Sequence, residues 1–186
     1  TFSVFSVAFV NVNDTPTLSA FSALAGAVED TAFTITYAAL LAASNAIDAD
    51  NDVISFRIES VTSGTLTKGG VAVVTGTTML AVGESLVWTP PAQSNGLLNA
   101  FTVKASDGTT FSATAVQVTA SVAAVNDTPV IITSGSLSYT EAGAAAAIQP
   151  ILTLSDADIS PVDTIASARV SLTAGGTSSD NLSIGS

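Results

Sequence analysis

Apolar and polar residues alternate along most of this chain with the two-residue period of a β-strand. The segment Val53-Ile54-Ser55-Phe56-Arg57-Ile58-Glu59-Ser60 places Ile54, Phe56 and Ile58 on one face and Ser55, Arg57 and Glu59 on the other. Ala100-Phe101-Thr102-Val103-Lys104-Ala105 and Ala113 to Val122 repeat the pattern. Thr, Val, Ile and Phe fill these runs, while Gly, Asn, Asp and Ser cluster between them. The spacing predicts strands near Thr17–Leu24, Thr31–Leu40, Val53–Ser60, Phe101–Ser106 and Phe111–Val125, with two more inside Gly64–Thr89. Trp88, which ends an apolar run before Pro90-Pro91, reads as a core residue. The Ala-rich stretch from Ala142 to Ala147 contains Gly143 and sits in a Thr/Ser/Val-rich setting, so it reads as turn plus strand.

A phrase recurs across this pattern. Val12-Asn13-Asp14-Thr15-Pro16 returns as Val125-Asn126-Asp127-Thr128-Pro129, a period of about 113 residues, and each copy precedes an Asp-Ala-Asp. The chain therefore reads as a modular array: residues 1–12 as the last strand of a preceding module, 13–125 as a complete module, and 126–186 as the N-terminal portion of a following module. Seven short strands with regular turn signals fit an all-β, immunoglobulin-like antiparallel sandwich, repeated in tandem.

Composition narrows the chemistry. Fifteen acids against four bases give a formal charge of −11, with no basic stripe for phosphates or anionic lipid. There is no Cys and no His, so disulfides, thiolate or imidazole metal sites and a Ser-His triad are excluded. A Ser–Lys dyad through Lys68 or Lys104 has no supporting motif, and the chain reads as a non-enzyme. No apolar run reaches the length of a membrane span.

With so few charges, the placement of the acids carries information. Tracing alternate strand directions from an entry at the top of the module gathers Asn13 and Asp14, then Asp48, Asp50 and Asp52, then Asp107 at that end. The opposite end receives Glu29 and Asp30 beside Asn126 and Asp127, with Asp156 and Asp158 supplied by the following module. Acids two residues apart in an extended loop point the same way, and calcium takes about 6–8 such oxygens. These twelve residues are the candidate Ca2+ ligands. An EF-hand reading of Asp48 to Glu59 fails, because its sixth position is Val53 and the segment alternates as a strand. The Asn-x-Ser/Thr triplets at Asn13, Asn126 and Asn181 are common by chance, and a glycan would crowd the junctions.

The segments Glu29-Asp30-Thr31, Asp48-Ala49-Asp50, Trp88-Thr89-Pro90, Ser94-Asn95-Gly96 and Ser106-Asp107-Gly108 and the Val-Asn-Asp-Thr-Pro junction together resemble the cadherin-like repeats of large bacterial surface proteins, including the extender repeats of RTX-type adhesins. The resemblance implies calcium held between modules by the junction Asn/Asp, the following Asp-x-Asp and the preceding Glu. It also implies export to the cell surface or matrix. The junction is shorter than a cadherin's, and no Asp-Arg-Glu occurs. The expected function is a calcium-stiffened extender repeat of an extracellular or cell-surface adhesin, partnered by neighbouring repeats of its own chain. A self-assembling fibre subunit, in which the 1–12 strand completes another copy's open sheet, is the alternative. A carbohydrate-binding module would need exposed aromatics beyond Trp88, Tyr37 and Tyr139.

Overall fold

Alternation becomes strand wherever one face can be buried; a computed structural model of the chain describes Val10, residues 12–133 and residues 152–156. The strand expected at 1–12 falls almost wholly outside the described residues. So do the Ala142–Ala147 stretch, Asp158 and Asn181. The chain divides into two compact units, Thr1–Asn126 and Asp127–Ser186.

The first unit is a sandwich of two sheets. One contains β1 (Leu24–Val28), β9 (Val116–Ala123), β8 (Gly96–Ser106), β3 (Ser55–Val61) and β6 (Met79–Leu80), in that order. The other runs β2 (Phe33–Thr36), β7 (Ser85–Thr89), β4 (Thr65–Lys68) and β5 (Val71–Ala72). The alternation in β3 is realised: Ile54, Phe56 and Ile58 are buried, whereas Ser55, Arg57 and Glu59 are partly exposed. Phe101, Val103 and Ala105 from β8, Val118, Ala120 and Val122 from β9, and Leu66, Leu86 and Trp88 from the second sheet complete the core. Trp88 is fully buried and its indole Nε1 donates to the Ser63 carbonyl at 2.9 Å, so the core keeps its polar atom satisfied.

Two expected elements differ. The strand expected at Thr31–Leu40 stops at Thr36 and gives way to helix α1, Tyr37–Ala43. Thr36 is extended and its hydroxyl accepts from Ala39 N at 3.1 Å, which makes it a helix N-cap. The sequence that follows, Tyr-Ala-Ala-Leu-Leu-Ala-Ala, has high helix propensity. Tyr37 and Leu40, three residues apart on one helical face, are buried, and the Tyr37 hydroxyl donates to the Ile54 carbonyl at 2.6 Å.

The first strand also shifts. Residues 17–21 form only isolated antiparallel bridges, Thr17 with Ile47 and Phe21 with Ser44, braced by the Asn45 side chain, which accepts from Ser19 N and Ala20 N. The regular strand begins at Leu24 and pairs with β9 in parallel, with a register shift at Gly26, whose φ of 95° suits glycine. The sandwich is thus antiparallel except at this edge.

In the second unit, β10 (Val130–Thr133) pairs antiparallel with β11 (Leu152–Ser155), with Val130 opposite Ser155.

Candidate metal centre

The loop between α1 and β3 wraps around one side chain. Asp48 is 6% exposed, and its Oδ1 accepts from Asp50 N at 2.9 Å and Asp52 N at 3.2 Å. Asn51 donates its backbone N–H to the Asp48 carbonyl and adopts a left-handed φ of 63°, a conformation asparagine tolerates better than most residues. This winding brings carboxylate oxygens of Asp48, Asp50 and Asp52 within 4.8 Å of one another. The second Asp48 oxygen, Oδ2, is buried with no hydrogen-bond partner. A buried, unpaired carboxylate oxygen is costly to leave unsatisfied, and two further carboxylates beside it raise that cost unless a cation is shared among them.

The chain entry meets this loop. Asp14 donates its backbone N–H to Asp50 Oδ2 at 2.6 Å, and Asn13 Nδ2 donates to Asp107 Oδ2 at 2.9 Å. The expected gathering of Asn13, Asp14, Asp48, Asp50, Asp52 and Asp107 at one end is therefore what the chain direction produces. The group divides chemically, however. Asp107 Oδ1 accepts from the backbone N–H groups of Thr109 and Thr110, both at 2.6 Å, and Oδ2 accepts from the Thr110 hydroxyl at 2.8 Å as well as from Asn13. These bonds, the Thr110 N–H first and the Asn13 amide next, hold the Asp107 carboxyl far below the usual carboxylate range. Asp107 is thus occupied as a clasp between the β8–β9 loop and the chain entry, whereas Asp48 Oδ2 is buried with no hydrogen-bond partner.

At the other end of the first unit, Glu29 is 1% exposed. Its Oε1 accepts from Val125 N at 2.6 Å and its Oε2 from Asn95 Nδ2 at 3.2 Å. Asp30 accepts from Gln93 N at 3.0 Å and Gln93 Nε2 at 3.1 Å. Asn126 lies exposed at the end of this unit. Glu29 therefore fastens both the segment before β8 and the exit from β9, and Asp30 the segment before β8. In the second unit, Asp127 precedes β10 and Asp156 follows β11, and the antiparallel register sets them at the same end of that strand pair.

Sequence reasoning passed over the partners: Thr110, Gln93 and Asn95. The Asp-Gly-Thr-Thr run, whose carboxylate caps the N–H groups two and three residues on, is a signal that would have found Thr110. Gln93 and Asn95 belong to a turn 63 and 66 residues from their partners, and no local pattern marks that pairing.

A profile of the cadherin-like domain matches residues 12–123, more than half of the sequence. The chain belongs to the cadherin-like family. The cadherin-like match begins at the residue before Asn13 and ends with β9, so it takes in the whole acidic end of the sandwich. Cadherin-like domains are structural and adhesive modules that commonly bind calcium, and they belong to extracellular and surface proteins. Among the described residues no helix is long and apolar enough to cross a membrane. No curated protein and no solved structure matches the chain.

Proposed function

We propose that this cadherin-like domain is a calcium-stiffened structural repeat of an extracellular or cell-surface adhesin, and not an enzyme. One observation carries the reading: Asp48 is buried with Oδ2 unpartnered, inside a loop that sets three carboxylates within 4.8 Å of one another. Calcium is the cation that suits such a set, since it takes carboxylate, backbone carbonyl and water oxygens in a flexible shell, whereas magnesium demands near-octahedral geometry. Asp48, Asp50 and Asp52 would hold the ion. When bound, it supplies positive charge and no reactive chemistry. Asp14, whose N–H already meets Asp50, stands next to that shell. Because Asn13 and Asp14 belong to the chain entry, an ion at this loop ties the incoming segment to the sandwich and limits bending there. The acids of the second unit, Asp127 and Asp156, share one end of a strand pair. The neighbouring repeats of the chain are the partners this role calls for.

The test is a calcium titration followed by calorimetry and thermal melting, with small-angle scattering on the same samples. Extracellular modules of this kind bind at about 10⁻⁴–10⁻³ M, so millimolar calcium should raise the melting temperature and extend the chain relative to chelator. Identical melting and scattering in both conditions would refute the proposal.

A further inference from the structure

Asn95 alone among the asparagines of the sequence precedes a glycine. It is exposed, in the turn that leads into β8, and Gly96 has a φ of 86° with nothing within 4 Å of the position a Cβ would take. Gly96 opens β8 opposite Val122, and with no side chain on that glycine nothing beyond the backbone stands between its nitrogen and the asparagine side chain. The Asn95 amide is also the donor to Glu29 Oε2 at 3.2 Å, and Glu29 Oε1 in turn holds Val125 N at 2.6 Å.

We propose that Asn95-Gly96 is a self-modification site, and that its conversion to aspartate or isoaspartate releases the end of the sandwich that Glu29 fastens. The chemistry needs only water. The Gly96 nitrogen attacks Asn95 Cγ, the N–Cγ bond forms, the Cγ–Nδ2 bond breaks, and ammonia leaves with the proton from Gly96 N–H. Water then opens the succinimide. Its hydroxyl adds to one of the two ring carbonyls, the bond from that carbon to the Gly96 nitrogen breaks, and on either route the water's proton goes to the Gly96 nitrogen. Opening at the former side-chain carbonyl gives aspartate; opening at the backbone carbonyl gives isoaspartate.

Either product replaces a donor by an anion beside a buried carboxylate. Glu29 cannot turn to solvent at 1% exposure, and like charges at this distance repel strongly in a partly desolvated site. The Val125 N–H, which Glu29 holds from the other oxygen, is the bond that yields. The site lies outside the Asp48 loop, and the inference does not rest on calcium.

The experiment holds the 186-residue chain in chelator at mildly alkaline pH and physiological temperature for several weeks. Peptide mapping by mass spectrometry follows amide loss at each asparagine, with fragmentation that separates isoaspartate from aspartate. Asn95 should convert ahead of Asn45, Asn51 and Asn99, and Asn95→Gln should abolish that signal. Asn95→Asp mimics the product directly. It should speed hydrogen exchange at the Val125 amide by about tenfold or more, and the same substitution in a Glu29→Gln background should not. Conversion elsewhere with Asn95 intact would overturn the site. Unchanged Val125 exchange in Asn95→Asp, or equal acceleration in both backgrounds, would overturn the release.

Discussion

Replacing Asp48 by asparagine should stabilise the first unit in chelator and remove most of the further stabilisation that calcium gives the native chain. The substituted amide keeps an oxygen to accept from Asp50 N and Asp52 N, so the loop retains its winding. What disappears is one negative charge, buried and within 4.8 Å of two others. A pair of unit charges at that distance repels by ~0.9 kcal/mol in water and about 3.5 kcal/mol at an effective dielectric near 20. Asp52 is exposed and Asp50 partly so, which puts both pairs near the water value, for a total relief of about 2 kcal/mol. In chelator, Asp48→Asn should therefore raise the melting temperature by roughly 8 °C, taking about 4 °C per kcal/mol for a domain of this size. In calcium at ten times Kd the native chain gains ~1.4 kcal/mol per site by linkage, and the variant should gain almost nothing. The measurement is a pair of melting curves for each protein, in chelator and in millimolar calcium. Should Asp48→Asn be destabilising in chelator, the Asp48 carboxylate is a structural acceptor whose charge the fold tolerates, and the repulsion argument fails.

Other perturbations test the scaffold and its clasps. Gly64 has a φ of 66° and an added Cβ would overlap the Thr89 carbonyl, so Gly64→Ala should cost more than about 2 kcal/mol by denaturant unfolding, with no change in calcium affinity. Trp88→Phe removes the indole donor and leaves the Ser63 carbonyl without it; a loss of about 1–3 kcal/mol is expected by the same assay. Asp107, held low by Thr110 N–H and Asn13, and Glu84, held low by the Lys68 ammonium and Ala81 N–H, both have depressed folded pKa values. Their contribution is complete above their unfolded values near pH 4 and is lost as pH falls through the folded ones. The melting-temperature difference in chelator between the native chain and Asp107→Asn should accordingly hold steady from neutral pH to about 5 and shrink as pH falls below about 4.

The sheet faces were legible because burial imposes a period of two, and Ile54, Phe56 and Ile58 obey it without interference. The acidic end was legible for a simpler reason: once strand directions alternate, loops separated by many residues return to the same end, and Asp14, Asp50 and Asp107 do. The helix at Tyr37–Ala43 escaped notice because Thr36 is both a good strand residue and a good N-cap, and only the tertiary slot for Tyr37 and Leu40 decides between them. The delayed first strand escaped for a similar reason. Residues 17–21 and 24–28 are equally extended in pattern, and the switch of partner between them depends on Asn45 and β9, which are distant in sequence. The roles of Asp107 and Glu29 depend on where N–H donors fall, and a list of carboxylates does not reveal that.

The parallel pairing of β1 with β9 has a mechanical consequence. The chain enters β1 at Leu24, at the end of the sandwich that carries Asp48, and leaves β9 at Ala123, at the end that carries Glu29. Tension applied through the two chain ends pulls these neighbouring strands in opposite directions along their own axes. The hydrogen bonds between them lie across that line, so the ladder is loaded in shear and its bonds must give way together. An antiparallel edge pair pulled from adjacent termini would unzip bond by bond. The Glu29 contact to Val125 N sits at the exit of this same ladder; a force drawn from that end reaches the clasp first, and the strands behind it only after the clasp has opened.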